Sequence, residues 1–110
     1  MEESAKPSPM EIMRNTVPEG AKIYLEHKAA VMENPELQAV PTKYKLLVGI
    51  GVAAALQSST CTVMWSKLAR QAGATQAEIA EAILVSRLMK MATVNDAAAD
   101  ALAWLGEQGE

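Results

Sequence analysis

The sequence predicts an all-α fold, a compact bundle of about six helices. Half of the 110 residues are hydrophobic, while Phe is absent and only two Trp and two Tyr occur. Strands favour β-branched and aromatic residues, and runs of these are few here. Helix start signals recur along the chain, each followed by apolar residues at helical spacing. A chain of this length is long enough for a single hydrophobic core.

We expect residues 1–8 to be a disordered tail and residues 9–110 to be a single domain. The stretch Ser8-Pro9-Met10-Glu11 begins a short first helix, because serine caps, proline suits the first turn and Glu11 completes a capping box. Pro18 begins the second helix, whose apolar residues recur at helical spacing. Asn34-Pro35 ends it, since the residue before a proline disfavours helical geometry.

The third and fourth helices surround the only cysteine. Thr42 begins the third helix, which runs to about Leu56 and is apolar on every side in its second half. Gly49 and Gly51 each cost this helix about 1 kcal/mol of propensity relative to Ala. Their presence predicts a neighbouring helix packed close to them. Thr60 is the predicted N-cap of the fourth helix and Gly73 its C-terminal stop.

The C-terminal part of the chain predicts two more helices. Thr75 and Glu78 form a second capping-box pattern, which begins a long helix to about Ala92. Thr93 or Asn95 is the predicted cap of a sixth helix. The long helix is apolar around most of its circumference, which predicts a subunit interface.

Charge and cysteine content argue against several functional classes. The net charge is −3 and no basic run occurs, which argues against a nucleic-acid partner. The single cysteine cannot form an internal disulfide. The acidic N-terminus is not followed by a signal segment, and the apolar run 46–56 is shorter than the roughly 20 residues that span a bilayer. We therefore expect a cytoplasmic protein with no membrane partner.

The segment 58–75, SSTCTVMWSKLARQAGAT, is followed by EIAEAI at 78–83. Together they resemble the carboxymuconolactone decarboxylase and AhpD-like alkylhydroperoxidase family. Members typically show Cys-x-x-Cys-x-x-x-His, then Ala-Gly-Ala-Thr, then Glu-Ile-x-Glu-Ala-Ile. The resemblance covers about residues 18–105. It implies an AhpD-like helical domain that forms homo-oligomers, often trimers or hexamers.

The resemblance also assigns positions around the cysteine. Registered on Ala-Gly-Ala-Thr, Cys61 matches the second cysteine of the family motif and Ser58 the first. Trp65 matches the histidine, and Leu46 matches a glutamate that some members use. Of these four positions, only Cys61 keeps the residue type of the family.

Cys61 is accordingly the candidate nucleophile of a thiol-based antioxidant activity, of peroxiredoxin type, on hydroperoxides. At a helix start, unpaired N–H groups and the helix dipole favour a thiolate. A thiolate attacks a peroxide and becomes a sulfenic acid. Because Ser58 replaces the first cysteine, regeneration requires an external thiol. Leu46, Trp65 and Met64 are the expected pocket wall.

Two alternatives remain open. On a helix that begins at Cys61, the residues Met64, Trp65, Leu68 and Ala72 share its face. Cys61 is then a buried, inert member of an apolar stripe, and the protein is a catalytically degenerate oligomeric scaffold or binds a small ligand. Lactone decarboxylation ranks last. Lactone decarboxylases of the family that lack the cysteines keep the histidine, whereas this chain has Trp65 at that position.

Three further residues are candidate functional groups. His27 is the only histidine. Because no second histidine or cysteine lies near it in the sequence, we expect a surface residue and no metal site. A role as general base stays open. Arg87 and Lys90 share one helix face. They form a solvated stripe, pair with acids such as Asp96 or Asp100, or bind an anion where the family has a Gly-Gly-Gly-Pro turn. No cofactor is expected.

Overall fold

The computed structural model describes residues 6–109 and confirms the all-α prediction, since no strand occurs in that range. It contains five helices: α1 (Pro9–Thr16), α2 (Pro18–Met32), α3 (Thr42–Ala55), α4 (Ser59–Gln71) and α5 (Gln76–Gln108). The chain divides into two compact units, Met1–Val40 and Pro41–Glu110. Within residues 6–109, none of the helices is both long enough and apolar enough to cross a membrane. Most of the predicted tail, residues 1–5, lies outside the described residues.

The first unit consists of α1 packed against α2. The predicted start of α1 is confirmed: Ser8 Oγ accepts from the Glu11 N–H at 3.1 Å, and the Ser8 N–H donates to Glu11 Oε1 at 2.9 Å. Pro18 begins α2 as predicted. Ala21 is the buried residue of α2.

In the second unit, α3 is the central helix and packs against both α4 and α5. Leu46 and Ile50 of α3 are buried, as is Ala69 of α4. On the other side, Ser86 of α5 donates a hydrogen bond from Oγ to the Gly51 carbonyl at 2.7 Å. Because this bond satisfies the hydroxyl, Ser86 can be buried between two helices at little cost.

The close approach predicted at the α3 glycines is confirmed at Gly49. A Cβ on Gly49 would overlap two ring carbons of Trp65, which projects from α4. A Cβ on Gly51 would lie 3.6 Å from the Ala82 carbonyl oxygen, an ordinary contact. The packing therefore requires glycine at position 49 but not at position 51. The group that approaches Gly49 is an aromatic side chain rather than a helix backbone.

The turn between α3 and α4 begins with a left-handed residue that is not glycine. Gln57 has φ +66°, and the next amide, of Ser58, donates to the Ala53 carbonyl at 2.9 Å. This bond closes the end of α3 in the manner of a Schellman motif. Ser58 is then the N-cap of α4, so the predicted cap at Thr60 is wrong. The turn leaves Ser58 extended and directs its hydroxyl at the amide of Cys61, so α4 begins earlier than predicted.

We expect the substitution Gln57→Gly to raise the free energy of unfolding by about 1 kcal/mol. A left-handed conformation costs an L-residue about that much, and glycine adopts it without strain. Chemical denaturation measures the change, with Gln57→Ala as the matched control that should leave stability nearly unchanged. Equal effects of the two substitutions would contradict the assignment of strain to this turn.

The turn between α4 and α5 follows the prediction. Gly73 has φ +98° and ends α4, and the Ala74 amide donates to the Ala69 carbonyl at 2.9 Å. Thr75 and Glu78 form the predicted capping box at the start of α5. Ala69 and Ala74 are both buried, which gives this helix end the apolar contact that accompanies a Schellman turn.

The predicted break near residue 93 is wrong, and this reduces six expected helices to five. α5 is one helix of 33 residues. The hydroxyl of Thr93 donates to the Lys90 carbonyl one turn earlier, instead of capping a new helix. Thr93 is therefore accommodated within α5 by this local bond, and Asn95 lies exposed on the same helix.

Glu78 links the start of α5 to α3 and makes the stability of this unit depend on pH. Its pKa is lowered, first by the hydrogen bond from the Thr75 amide and then by Lys43, whose Nζ lies 3.3 Å from Glu78 Oε2. A lowered folded-state pKa means that the stabilisation is present above the unfolded-state pKa and is lost as pH falls through the folded-state value.

We therefore expect the variant Glu78→Gln to lose stability near neutral pH and to lose less than the parent protein on acidification below about pH 4.5. Urea unfolding at a series of pH values measures this. Glu81→Gln, an exposed acid on the same helix, is the control. If the two variants have parallel pH profiles, the contribution of Glu78 is refuted.

Candidate functional site

Cys61 is exposed and lies in the first turn of α4. Its N–H donates to Ser58 Oγ at 3.2 Å, which fixes the start of the helix. Ser58 accepts this bond and keeps its own hydroxyl proton as a donor. The first amides of a helix have no intrahelical acceptor, and Ser58 Oγ satisfies one of them at the start of α4.

The burial pattern of α4 differs from the predicted one. Ala69 is buried and Thr62, Trp65 and Ser66 are half-buried, while Met64 is exposed together with Cys61. The predicted apolar stripe through Cys61 and Met64 therefore does not face the interior of this unit. The reason is local: Thr62 Oγ1 donates to the Ser58 carbonyl at 2.7 Å. With its hydroxyl satisfied, Thr62 can face inward.

The two positions that match proton-relay residues of the resembled family hold apolar packing residues. Leu46 is only 5% exposed. Trp65 is half-buried, with its ring above Gly49. Neither side chain can take a proton from a thiol. Leu46 is buried and Met64 exposed, so their joint role as a pocket wall stays a prediction.

A small cavity of about 320 Å³ lies at the turn between α3 and α4. It is lined by residues of both helices and of the turn: Ala54, Gln57, Ser58, Ser59, Thr62 and Val63. Ser58 thus lies between this cavity and the backbone of Cys61. Sequence reasoning did not find this cavity, because it depends on the left-handed turn at Gln57.

The remaining candidate residues lie on exposed helix surfaces. His27 is exposed on α2, and residues 6–109 contain no cluster of side chains able to hold a metal ion. Arg87 and Lys90 are exposed on α5 and form no salt bridge within the described part of the chain. The predicted pairing with Asp96 or Asp100 of the same chain is therefore not found there.

An apolar groove of about 400 Å³ runs between α3 and α5. Its walls are small and aliphatic side chains: Leu47, Val48, Gly51, Val52, Ala55, Ala82, Val85, Ser86 and Met89. Met89, one of the seven methionines of the chain, lines the groove. Such a groove can accept an apolar ligand or an apolar side chain of another protein.

Comparison with known proteins gives one family and one fold. The model of the carboxymuconolactone decarboxylase family matches residues 18–107. A crystal structure of a protein from Methanobacterium thermoautotrophicum is similar, with 24% identity and a TM-score of 0.75. The similarity covers 83% of this chain and 96% of that one, and at this identity it shows the fold alone. No curated protein matches the chain.

Proposed function

Because the chain belongs to the carboxymuconolactone decarboxylase family, we propose that it is an AhpD-like, thiol-dependent peroxidase with Cys61 as its nucleophile. The observation that supports this most is the exposure of Cys61 at the start of α4. An exposed thiol can meet a hydroperoxide directly, because no side chain covers it.

The reaction has two stages. The Cys61 thiolate attacks one peroxide oxygen, the O–O bond breaks, and the alkoxide leaves as an alcohol after taking a proton from water. The sulfur is thereby oxidised by two electrons to a sulfenic acid. One external thiol then displaces water to form a mixed disulfide, and a second releases Cys61 while the two external thiols leave as a disulfide.

The external thiol is required because Ser58 cannot form a disulfide. Instead of forming a disulfide, the Ser58 hydroxyl can donate a hydrogen bond to the Cys61 thiolate, three residues further along the chain. Solvent replaces the proton relay, because Leu46 and Trp65 are apolar. We place the reaction in the cytoplasm, where small thiols keep cysteines reduced.

The experiment is consumption of an alkyl hydroperoxide in the presence of a small thiol, with the native protein and with Cys61→Ser. The native protein is expected to consume peroxide, and the variant is expected to show no rate above the thiol alone. Ser59→Ala, an exposed neighbour that is not the cap, is the matched control. Equal rates with native protein and Cys61→Ser would end the proposal.

A second candidate is a binding protein without catalysis, favoured by the apolar groove between α3 and α5. In that case an apolar fluorescent probe should bind, and Val52→Glu, which places a charge at an exposed position of the groove, should abolish binding. Peroxide consumption should then be absent while the groove remains occupied. Binding that is unchanged in Val52→Glu would exclude the groove.

We also propose that the protein works as a homo-oligomer, with a trimer or hexamer expected from the family resemblance. Large apolar side chains are exposed along α5, and a monomer would leave them in water. Native mass determination at micromolar concentration tests this. A monomer at all concentrations would refute it without affecting the proposed thiol chemistry.

A further inference from the structure

The apolar groove between α3 and α5 is open at one end. Near the start of both helices, Lys43 pairs with Glu78. Gly51 contacts Ser86 further along, so the two helices run parallel. By the same offset, the end of α3 at Ala55 is level with about residue 90, whereas α5 continues to residue 108. The face of α5 that borders the groove therefore extends past the end of α3.

This face of α5 becomes acidic where α3 ends. Positions one heptad apart lie on the same helix face, with a drift of about 20° per heptad. Asp96 is one heptad beyond Met89, which lines the groove. Asp100 and Glu107 are two and three heptads beyond Ser86, which also lines it. We call Asp96, Asp100 and Glu107 the acidic stripe; all three are exposed.

The acidic stripe has no basic residue to offset it. From residue 91 onward the chain contains no Lys, Arg or His, and the stripe forms no salt bridge within residues 6–109. Trp104 is four residues beyond Asp100, so it shares this face, and it is 58% exposed. Carboxylates beside an exposed indole ring suit a cationic side chain, through charge pairing and cation–π contact.

We propose that the groove and the acidic stripe together bind an amphipathic helix of another protein. The apolar side chains of one half of that helix fill the groove, and Lys or Arg side chains of its other half pair with the stripe. The inference rests on the second candidate function above, whose groove it uses, and names the class of partner. It requires nothing of Cys61.

The length of this surface favours a helix over a small ligand. From Ala82, the first groove residue of α5, to Glu107 the helix extends about 37 Å. A small molecule fills the groove of about 400 Å³ and leaves the stripe uncovered. A helix of about 25 residues covers both. The small residues Gly51, Ala55 and Ala82 in the groove walls allow its side chains to approach closely.

The charge of the stripe also separates this partner from other classes. Nucleic acids and anionic membrane surfaces carry phosphate groups, which the three carboxylates repel. A basic amphipathic helix meets complementary charge along one half and apolar surface along the other. Such charge complementarity raises the rate of association and selects among partners.

Fluorescence anisotropy with a labelled synthetic peptide tests the proposal. The probe has about 25 residues, with Leu along one helix face in its first half and Lys along the same face in its second half. It is expected to bind the native protein, and more weakly as salt is added. The same peptide with Glu in place of Lys should bind at least about tenfold more weakly. Equal binding of the two peptides would overturn the proposal.

Charge reversal on α5 tests whether the stripe is the site. The double variant Asp96→Lys, Asp100→Lys should bind the Lys peptide at least about tenfold more weakly and the Glu peptide more tightly. Both positions are exposed, so the fold should be retained. Glu81→Lys, an exposed position about 22 Å from Asp96 along the helix, is the matched control. Unchanged affinities in the double variant would refute the role of the stripe.

The double variant Val52→Ser, Val85→Ser tests the groove. Both side chains line the groove and are more than half exposed, so their loss should weaken binding of the Lys peptide without unfolding the protein. Undiminished binding would place the peptide elsewhere and overturn the proposal. If the apolar probe binds but the Lys peptide does not, the groove candidate stands and this inference alone fails. If the double variant instead dissociates a native oligomer, a second copy occupies the groove and the inference is wrong.

Discussion

Replacing Gly49 with alanine is expected to lower the free energy of unfolding by about 2 kcal/mol. The added methyl group would overlap the Trp65 ring, so either the ring or α4 must move. Overpacking of this kind typically costs about 1 to 3 kcal/mol, and overlap with a ring belongs near the upper end of that range. The higher helix propensity of alanine returns about 1 kcal/mol, which leaves a net loss of about 2 kcal/mol. Urea denaturation followed by circular dichroism measures the loss.

The same substitution should change sign when the ring is absent. In a Trp65→Leu background, Gly49→Ala meets no ring and should be neutral or stabilising by up to about 1 kcal/mol. Gly51→Ala in the native background is the matched control, because its methyl group makes only ordinary contacts. A loss at Gly49 that is as large without Trp65 as with it would show that the contact between α3 and α4 is misassigned.

Replacing Ser58 with cysteine is expected to convert a thiol that needs an external partner into one that forms its own disulfide. Residues 58 and 61 are three apart at the start of α4, where the Ser58 side chain already reaches the Cys61 amide. On exposure to hydroperoxide, the sulfenic acid at Cys61 should condense with the new thiol. Mass spectrometry should show loss of two hydrogens and no mixed disulfide with a small thiol.

A cysteine is a poorer cap than serine, so this variant should also lose about 1 kcal/mol of stability. Ser59→Cys is the control, because its side chain points to a different side of the helix from that of Cys61. It should remain reduced or form only mixed disulfides. An equally complete internal disulfide from Ser59→Cys would mean that the first turn of α4 is not held as described.

Local signals in the sequence were sufficient for most helix boundaries. Ser8 and Thr75 are identifiable as caps because each has a glutamate three residues later, and Gly73 as a stop because glycine suits the conformation it adopts. These features involve residues within one turn of each other. The exposure of the helices, by contrast, depends on contacts between distant residues.

The errors arose where a tertiary contact or a competing local bond decided the outcome. Thr93 bonds to the preceding turn rather than capping a helix. Threonine is suited to both roles, so the residue type alone does not distinguish them. The predicted N-cap of α4, Thr60, is two residues late, because nothing in the sequence marks Gln57 as left-handed. The apolar face counted from that start, with Cys61 as a buried member, is the alternative that the exposure of Cys61 does not support.

The resemblance gave the family but could not decide the activity, because the residues at three of the four motif positions differ. Leu46 and Trp65 have become packing residues, whereas Cys61 is still presented to solvent.

The rate of Cys61 oxidation by an alkyl hydroperoxide, followed by trapping of the sulfenic acid, tests the central claim most directly. The rate in the native protein should be compared with the rate in the urea-unfolded chain at the same pH. The second rate is corrected for the effect of urea on the activity of the peroxide. The folded start of α4 is expected to accelerate the reaction by about tenfold or more. A native rate equal to or below the unfolded rate would show that the fold does not activate Cys61, and the proposed peroxidase function would be wrong.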